Sequence, residues 1–148
     1  MPRRILKFQE RGHYHINNRG LQKKKIFFDR EDYMYFLKKM FEYKDKFSIE
    51  VIFYCLMPNH FHLVTRQNTG VGTIQFISMV QLLYAKYFNK KYGRKGQLFE
   101  GRYRPKVIKD QKYMMQFIRY LMENPVRAGL VKKPEDWEFL SFNAKLID

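Results

Sequence analysis

Residues 49–66 constrain this chain most. Ile49-Glu50-Val51-Ile52-Phe53-Tyr54-Cys55-Leu56-Met57 is a β-branched and aromatic run, Pro58-Asn59 is a turn signal, and His60-Phe61-His62-Leu63-Val64-Thr65-Arg66 resumes the strand pattern. The stretch therefore reads as a β-hairpin. Side chains alternate along a strand, so His60 and His62 share one face while Phe61 between them anchors the opposite layer.

Helical patterns flank the hairpin. Over residues 30–46, Tyr33, Phe36, Leu37, Met40 and Phe41 follow the spacing of one helical face, and Asp29 is placed to cap it. After Gly70-Val71-Gly72, residues 73–91 carry a broad apolar face of Ile74, Ile77, Val80, Leu83, Tyr84, Tyr87 and Phe88. Residues 13–18 read as a first strand, ended by Arg19-Gly20, and residues 103–109 as a fourth. Asp110 then caps a third helix that reaches Glu123. The order strand-helix-strand-strand-helix-strand predicts an α+β fold, a ferredoxin-like antiparallel sheet with helices on one face, followed by an extra C-terminal helix. With 148 residues and no linker-like segment, residues 1–148 form one domain. The histidines fall on its central strands.

Charge narrows the partners. Twenty-nine Lys and Arg against 14 Asp and Glu give a net charge of +15, a surface that attracts polyanions, nucleic acid first among them. Hydrophobic residues at 45% argue for a folded chain. The single cysteine, Cys55, lies in an apolar run and excludes a disulfide framework or a cysteine-based zinc site. No apolar stretch follows the basic N-terminus, and none has the length of a membrane span, so the expected location is the cytoplasm, with no membrane partner.

The third helix carries two stripes. Met114, Phe117, Ile118 and Leu121 are apolar, and Tyr113, Gln116, Tyr120 and Asn124 lie beside them at spacings of three and four. Pro125 disfavours helical geometry at Asn124, which predicts that the helix stops there. His60 and His62 suit a divalent ion as neutral nitrogen ligands, and Asn124 can add a carbonyl oxygen. Open positions would take a phosphate, which the Tyr120 hydroxyl, one turn away, could attack. Each feature has a plainer reading: helical tyrosines usually pack, and His13-Tyr14-His15 repeats the histidine pattern in another strand. That second pair ranks lower because no turn-defined hairpin holds it. Tyr113 is the rival nucleophile.

Taken together, these residues resemble the single-tyrosine HUH transposases of bacterial insertion sequences, in the group associated with repetitive extragenic palindromes (REPs). The resemblance runs through His15-Ile16-Asn17-Asn18-Arg19-Gly20, the hairpin Tyr54-Cys55-Leu56-Met57-Pro58-Asn59-His60-Phe61-His62-Leu63-Val64, Gly96-Gln97-Leu98-Phe99-Glu100-Gly101-Arg102-Tyr103, Tyr120 to Val126, and Trp137 with Ser141-Phe142. Gln97 stands where the family often has His. The resemblance implies metal-dependent cleavage and rejoining of single-stranded or hairpin DNA through a 5′-phosphotyrosine. Tyr120 would be the nucleophile, His60, His62 and Asn124 the ligands, and Mg²⁺ or Mn²⁺ the metal. Lys90, Lys91, Arg94, Lys95, Arg102, Arg104 and Lys106, with Tyr92, Phe99 and Tyr103 among them, are the expected DNA contacts: cations along phosphates, rings on unpaired bases. The sequence leaves a monomer and a homodimer both open. Two other classes compete: a non-catalytic ferredoxin-like nucleic-acid-binding domain, against which stands the lack of an RNP-type aromatic pair, and a metal-dependent hydrolase that would not need Tyr120.

Overall fold

A computed structural model of the chain describes residues 12–103 and 105–147; Arg104 and the basic N-terminal segment lie outside the described residues. Among the described residues, five antiparallel strands, β1 (His13–Arg19), β2 (Ile49–Met57), β3 (His60–Gln67), β4 (Lys106–Ile108) and β5 (Leu140–Phe142), lie in the order β4-β1-β3-β2-β5. The first four strands, with α1 (Arg30–Lys46) after β1 and α2 (Thr73–Tyr92) after β3, give the expected ferredoxin-like sandwich. The chain continues into α3 (Gln111–Met122), the single-turn α4 (Asn124–Arg127) and then β5.

The sheet separates two cores. Ile16, Leu56, Phe61 and Leu63 pack with Phe36, Met40, Phe76, Val80 and Tyr84 from α1 and α2. Cys55, Met57 and Val64 on the other face pack with Met114, Ile118 and Leu121 of α3. A β-bulge between Val51 and Phe53 shifts the phase of β2. Ile49 and Val51 lie on the α1/α2 side at odd positions, Tyr54 and Leu56 lie there at even ones, and the extra residue switches the parity.

Local chemistry sets the helix ends. Asp29 and Asp32 form a capping box at the start of α1. Gly72 precedes α2 at φ +128°, where a Cβ would sit 2.4 Å from the Phe47 carbonyl oxygen, so only glycine fits this turn. Asp32, fully buried, also joins the start of α1 to the end of α2. Its carboxylate accepts from the Tyr92 hydroxyl at 2.5 Å, the Tyr87 hydroxyl at 2.9 Å, the Lys91 ammonium at 2.9 Å and the Phe28 amide at 2.9 Å. Burial works against its charge, but these donors outweigh it and hold the carboxyl below its ordinary range.

Three sequence expectations change. The fourth strand is three residues long instead of spanning 103–109. The third helix does not end the helical path at Asn124: Glu123 stays helical (φ −80°, ψ −7°) and α4 follows at once, with Pro125 in its first turn, where a missing N–H costs nothing. Strand β5 was not anticipated; it is held beside β2 by the Trp137 indole, which donates to the Leu56 carbonyl at 2.9 Å, and by the Leu56 amide, which donates to Phe139 at 2.9 Å.

Candidate active site

His60 and His62 face α3, and so do His13, His15 and Asn17 across the β1–β3 register. The His60 and His62 rings lie 5.1 Å apart, nearly perpendicular at 84°. His60 Nδ1 is 2.7 Å from Asn59 Oδ1, and the Asn59 amide is oriented by its own donation to the Lys23 carbonyl at 3.4 Å. A carbonyl oxygen only accepts, so Nδ1 of His60 carries the proton and Nε2 keeps its lone pair. His62 Nδ1 is 3.0 Å from His15 Nε2. His15 is therefore no rival site; it belongs to this one.

Burial keeps all three imidazoles neutral at pH 7. It lowers the His60 pKa, brings His15 to about 4 with help from the Lys106 charge, and brings His62 to about 3 with help from His15, His60 and Arg127. Neutral imidazole is the form that ligates metals. Among the described residues no group of three or more His, Cys, Asp and Glu is placed to hold a metal ion. Two imidazoles and an amide oxygen, the ligand set expected from His60, His62 and Asn124, would suit Mg²⁺ or Mn²⁺ with open positions.

Helix α3 presents the remaining chemistry. Met114, Ile118 and Leu121 are buried, whereas Tyr113 and Tyr120 are 51% and 60% exposed. Phe117 sets its edge against His15 at 4.7 Å between ring centroids and stacks between Tyr113 at 5.8 Å and Tyr120 at 6.4 Å. A run of ring contacts thus leads from His62 through His15 and Phe117 to Tyr120.

Arg127 is the residue that the sequence reading missed. Its guanidinium lies 4.3 Å from the Tyr120 ring centroid, and it donates to the Tyr120 carbonyl at 2.9 Å and to Asn124 Oδ1 at 3.3 Å. Its charge also reaches His62. The signal was its place three residues after Asn124 and seven after Tyr120, one helical face if the helix runs on through Pro125.

The expected DNA contacts fall into separate groups. Arg102 lines a cleft of about 790 Å³ beside His60, together with Asn17, Asn18, Arg19, Asn59, Glu100 and Tyr103. Lys106 sits opposite His15 in the β1–β4 register. Lys90 and Lys95 are exposed at the end of α2, on the opposite side of the sheet. Lys91 there is committed to Asp29 and Asp32. Arg94 donates to Asn89 Oδ1 at 2.7 Å and to the Gln97 carbonyl at 3.1 Å. Among the aromatics, Phe99 is core and Tyr92 is held by Asp32, while Tyr103 stays half-buried at the cleft.

Residues 8–124 match the family described as "Transposase IS200 like". A REP-associated tyrosine transposase of Haemophilus influenzae is 26% identical over 111 residues, 67% of this chain and 62% of that protein, so the match spans about three fifths of the relative's length. Among solved structures, a REP-associated tyrosine transposase bound to a REP hairpin superposes with a TM-score of 0.77 over 96% of this chain and 83% of that one, at 19% identity. A transposase from Deinococcus radiodurans gives 0.55 over 83% and 97%, at 14% identity. These likenesses carry the fold. No helix among the described residues is long and apolar enough to cross a membrane. From the family match over most of its length, the chain belongs to the IS200-like transposases.

Proposed function

We propose that this protein cuts and rejoins single-stranded DNA at hairpin-containing sites, with Tyr120 as the nucleophile and His60, His62 and Asn124 as ligands of Mg²⁺ or Mn²⁺. The observation that carries the reading is the pair of neutral imidazoles on one sheet face. His60 is fixed with its Nε2 lone pair available, and α3 presents an exposed tyrosine on the same side. A bound divalent ion would polarise the scissile phosphate as a Lewis acid.

The chain's own groups supply the rest. Tyr120 Oη forms a bond to phosphorus and gives its proton to water; the bond from phosphorus to the 3′ oxygen breaks, and that oxygen leaves as a hydroxyl. The product is a 5′-phosphotyrosine and a free 3′ end. Rejoining reverses these steps, with a 3′-hydroxyl as attacking group. Tyr120 can do this without leaving the core unfilled, because its ring is exposed while Ile118 and Leu121 anchor the helix. Arg127 holds the Tyr120 backbone and the Asn124 amide in one arrangement. Arg102 at the cleft beside His60, and Lys106 opposite His15, would take the phosphates nearest the reacting one.

A nucleic-acid substrate is favoured by the net charge of +15, and a hairpin by the structural relative solved with a REP hairpin. The test is incubation with single-stranded hairpin oligonucleotides and Mg²⁺ or Mn²⁺, resolved on a denaturing gel. A metal-dependent protein–DNA adduct is expected. Binding without any adduct would favour a non-catalytic nucleic-acid-binding domain, and cleavage without an adduct would favour a hydrolase that uses water.

A further inference from the structure

We infer that His15 is a positioning residue for His62: its imidazole fixes the orientation and tautomer in which His62 offers Nε2 to a divalent ion. The inference rests on the reading of His60 and His62 as ligands.

The geometry leaves His62 two nitrogens with different fates. Nδ1 is engaged by His15 Nε2 at 3.0 Å, and the two ring planes lie within 16° of each other with centroids 5.2 Å apart, an edge-to-edge arrangement in which the hydrogen bond runs in the plane of both rings. If Nε2 of His62 is to ligate, the proton must sit on Nδ1, which then donates. His15 must in turn accept at Nε2, and so carries its own proton on Nδ1. Both rings are neutral in this state, and no ionised partner is needed. His60 has the same arrangement by another means, since Asn59 Oδ1 accepts from its Nδ1 at 2.7 Å. Each histidine of the hairpin thus has one nitrogen tied to an acceptor and the other left over, the arrangement by which outer groups orient metal-binding imidazoles.

His15 is itself held. It is 6% exposed, and the edge of Phe117 from α3 packs on it at 4.7 Å. The ring that aims His62 is therefore also part of the surface on which the Tyr120 helix rests. The contacts of His15 are with His62 and Phe117, so it would act through His62.

The test compares His15→Gln with His15→Met, side chains of similar length and volume that lose the ring contact with Phe117 equally. Gln keeps an oxygen that accepts from His62 Nδ1, and Met does not. Mn²⁺ affinity of the full chain, without DNA, is read from the electron paramagnetic resonance signal of free Mn²⁺, with His62→Ala as reference. The expected result is wild-type affinity within a few-fold for His15→Gln and a loss of about 10–100-fold for His15→Met, with both variants folded by circular dichroism. Equal Mn²⁺ affinities in the Gln and Met variants, with His62→Ala clearly weakened, would overturn the role of His15 alone. Wild-type protein that binds Mn²⁺ no better than His62→Ala would overturn the ligand reading, and this inference with it.

Discussion

Arg127→Met should slow adduct formation while leaving the fold almost untouched. The guanidinium makes three contacts, all at the surface: the Tyr120 ring at 4.3 Å, the Tyr120 carbonyl at 2.9 Å and Asn124 Oδ1 at 3.3 Å. A cation over an exposed ring contributes about 0.5–1 kcal/mol. The hydrogen bond to Asn124 is long and solvent-screened and adds a few tenths at most. The sum, about 1 kcal/mol, is the preference for the arrangement in which Tyr120 and Asn124 are held together. Losing it lowers the rate about fivefold, because about 1.4 kcal/mol corresponds to a factor of ten. Met keeps most of the apolar stem. Because water replaces every lost contact, the melting temperature should move by less than about 3 °C. Single-turnover adduct formation on a hairpin oligonucleotide, run beside a thermal melt, reads both quantities. An unchanged rate would refute the positioning role; a large drop in melting temperature would show that Arg127 supports the fold instead.

The other variants separate the metal site, the helix junction and the DNA track. His60→Ala and His62→Ala should each abolish divalent-ion-dependent nicking with the fold retained by circular dichroism; full activity in both would remove the site from the hairpin. Asp32→Ala should destabilise the protein by about 3 kcal/mol, the lower end for breaking a buried ion pair, because Lys91 keeps Asp29; a urea midpoint unchanged from wild type would contradict this. Because the folded Asp32 carboxyl lies below its unfolded value of 3.8, its stabilisation is full above that pH and is lost as pH falls through the folded value. Acid titration of wild type and Asp32→Asn should therefore converge at low pH, and a constant gap would rule the linkage out. Arg102→Ala and Lys106→Ala should each reduce the salt dependence of DNA binding by about 0.7–1 in log–log slope, whereas Lys91→Ala should leave the slope alone; the opposite pattern would move the phosphate track to the end of α2.

The hairpin, both long helices and the first four strands were legible because each has a local cause. The capping Asp29, the 3.6-residue periodicity of α1 and the Pro58-Asn59 turn all act within a few residues. What escaped depended on distant partners. Strand β5 is three residues long and exists because Trp137 and Phe139 bond to Leu56, more than eighty residues earlier in the chain. Pro125 signals a stop from sequence, but at the start of a new turn it is tolerated, and Arg127 comes onto the Tyr120 face only because the helical path continues. His60 and His62 were visible from strand alternation, whereas the part of His15 follows from antiparallel pairing of β1 with β3, a register that no local pattern specifies. Lys91 read as a free cation because its partners, Asp29 and Asp32, lie about sixty residues away in sequence.

Tyr120 is the residue expected to form the covalent bond to DNA. Tyr113 lies two turns back on the same helix, comparably exposed and stacked on the same Phe117 ring, so only a site-resolved measurement distinguishes the two. The decisive experiment traps the adduct on a single-stranded hairpin with Mn²⁺, digests both components and locates the nucleotide by mass spectrometry, with the Tyr120→Phe protein run in parallel. A 5′-phosphonucleotide on Tyr120 is expected in the wild type, and neither adduct nor cleavage in Tyr120→Phe, which still binds the hairpin. A nucleotide on Tyr113, or undiminished cleavage by Tyr120→Phe, would contradict it.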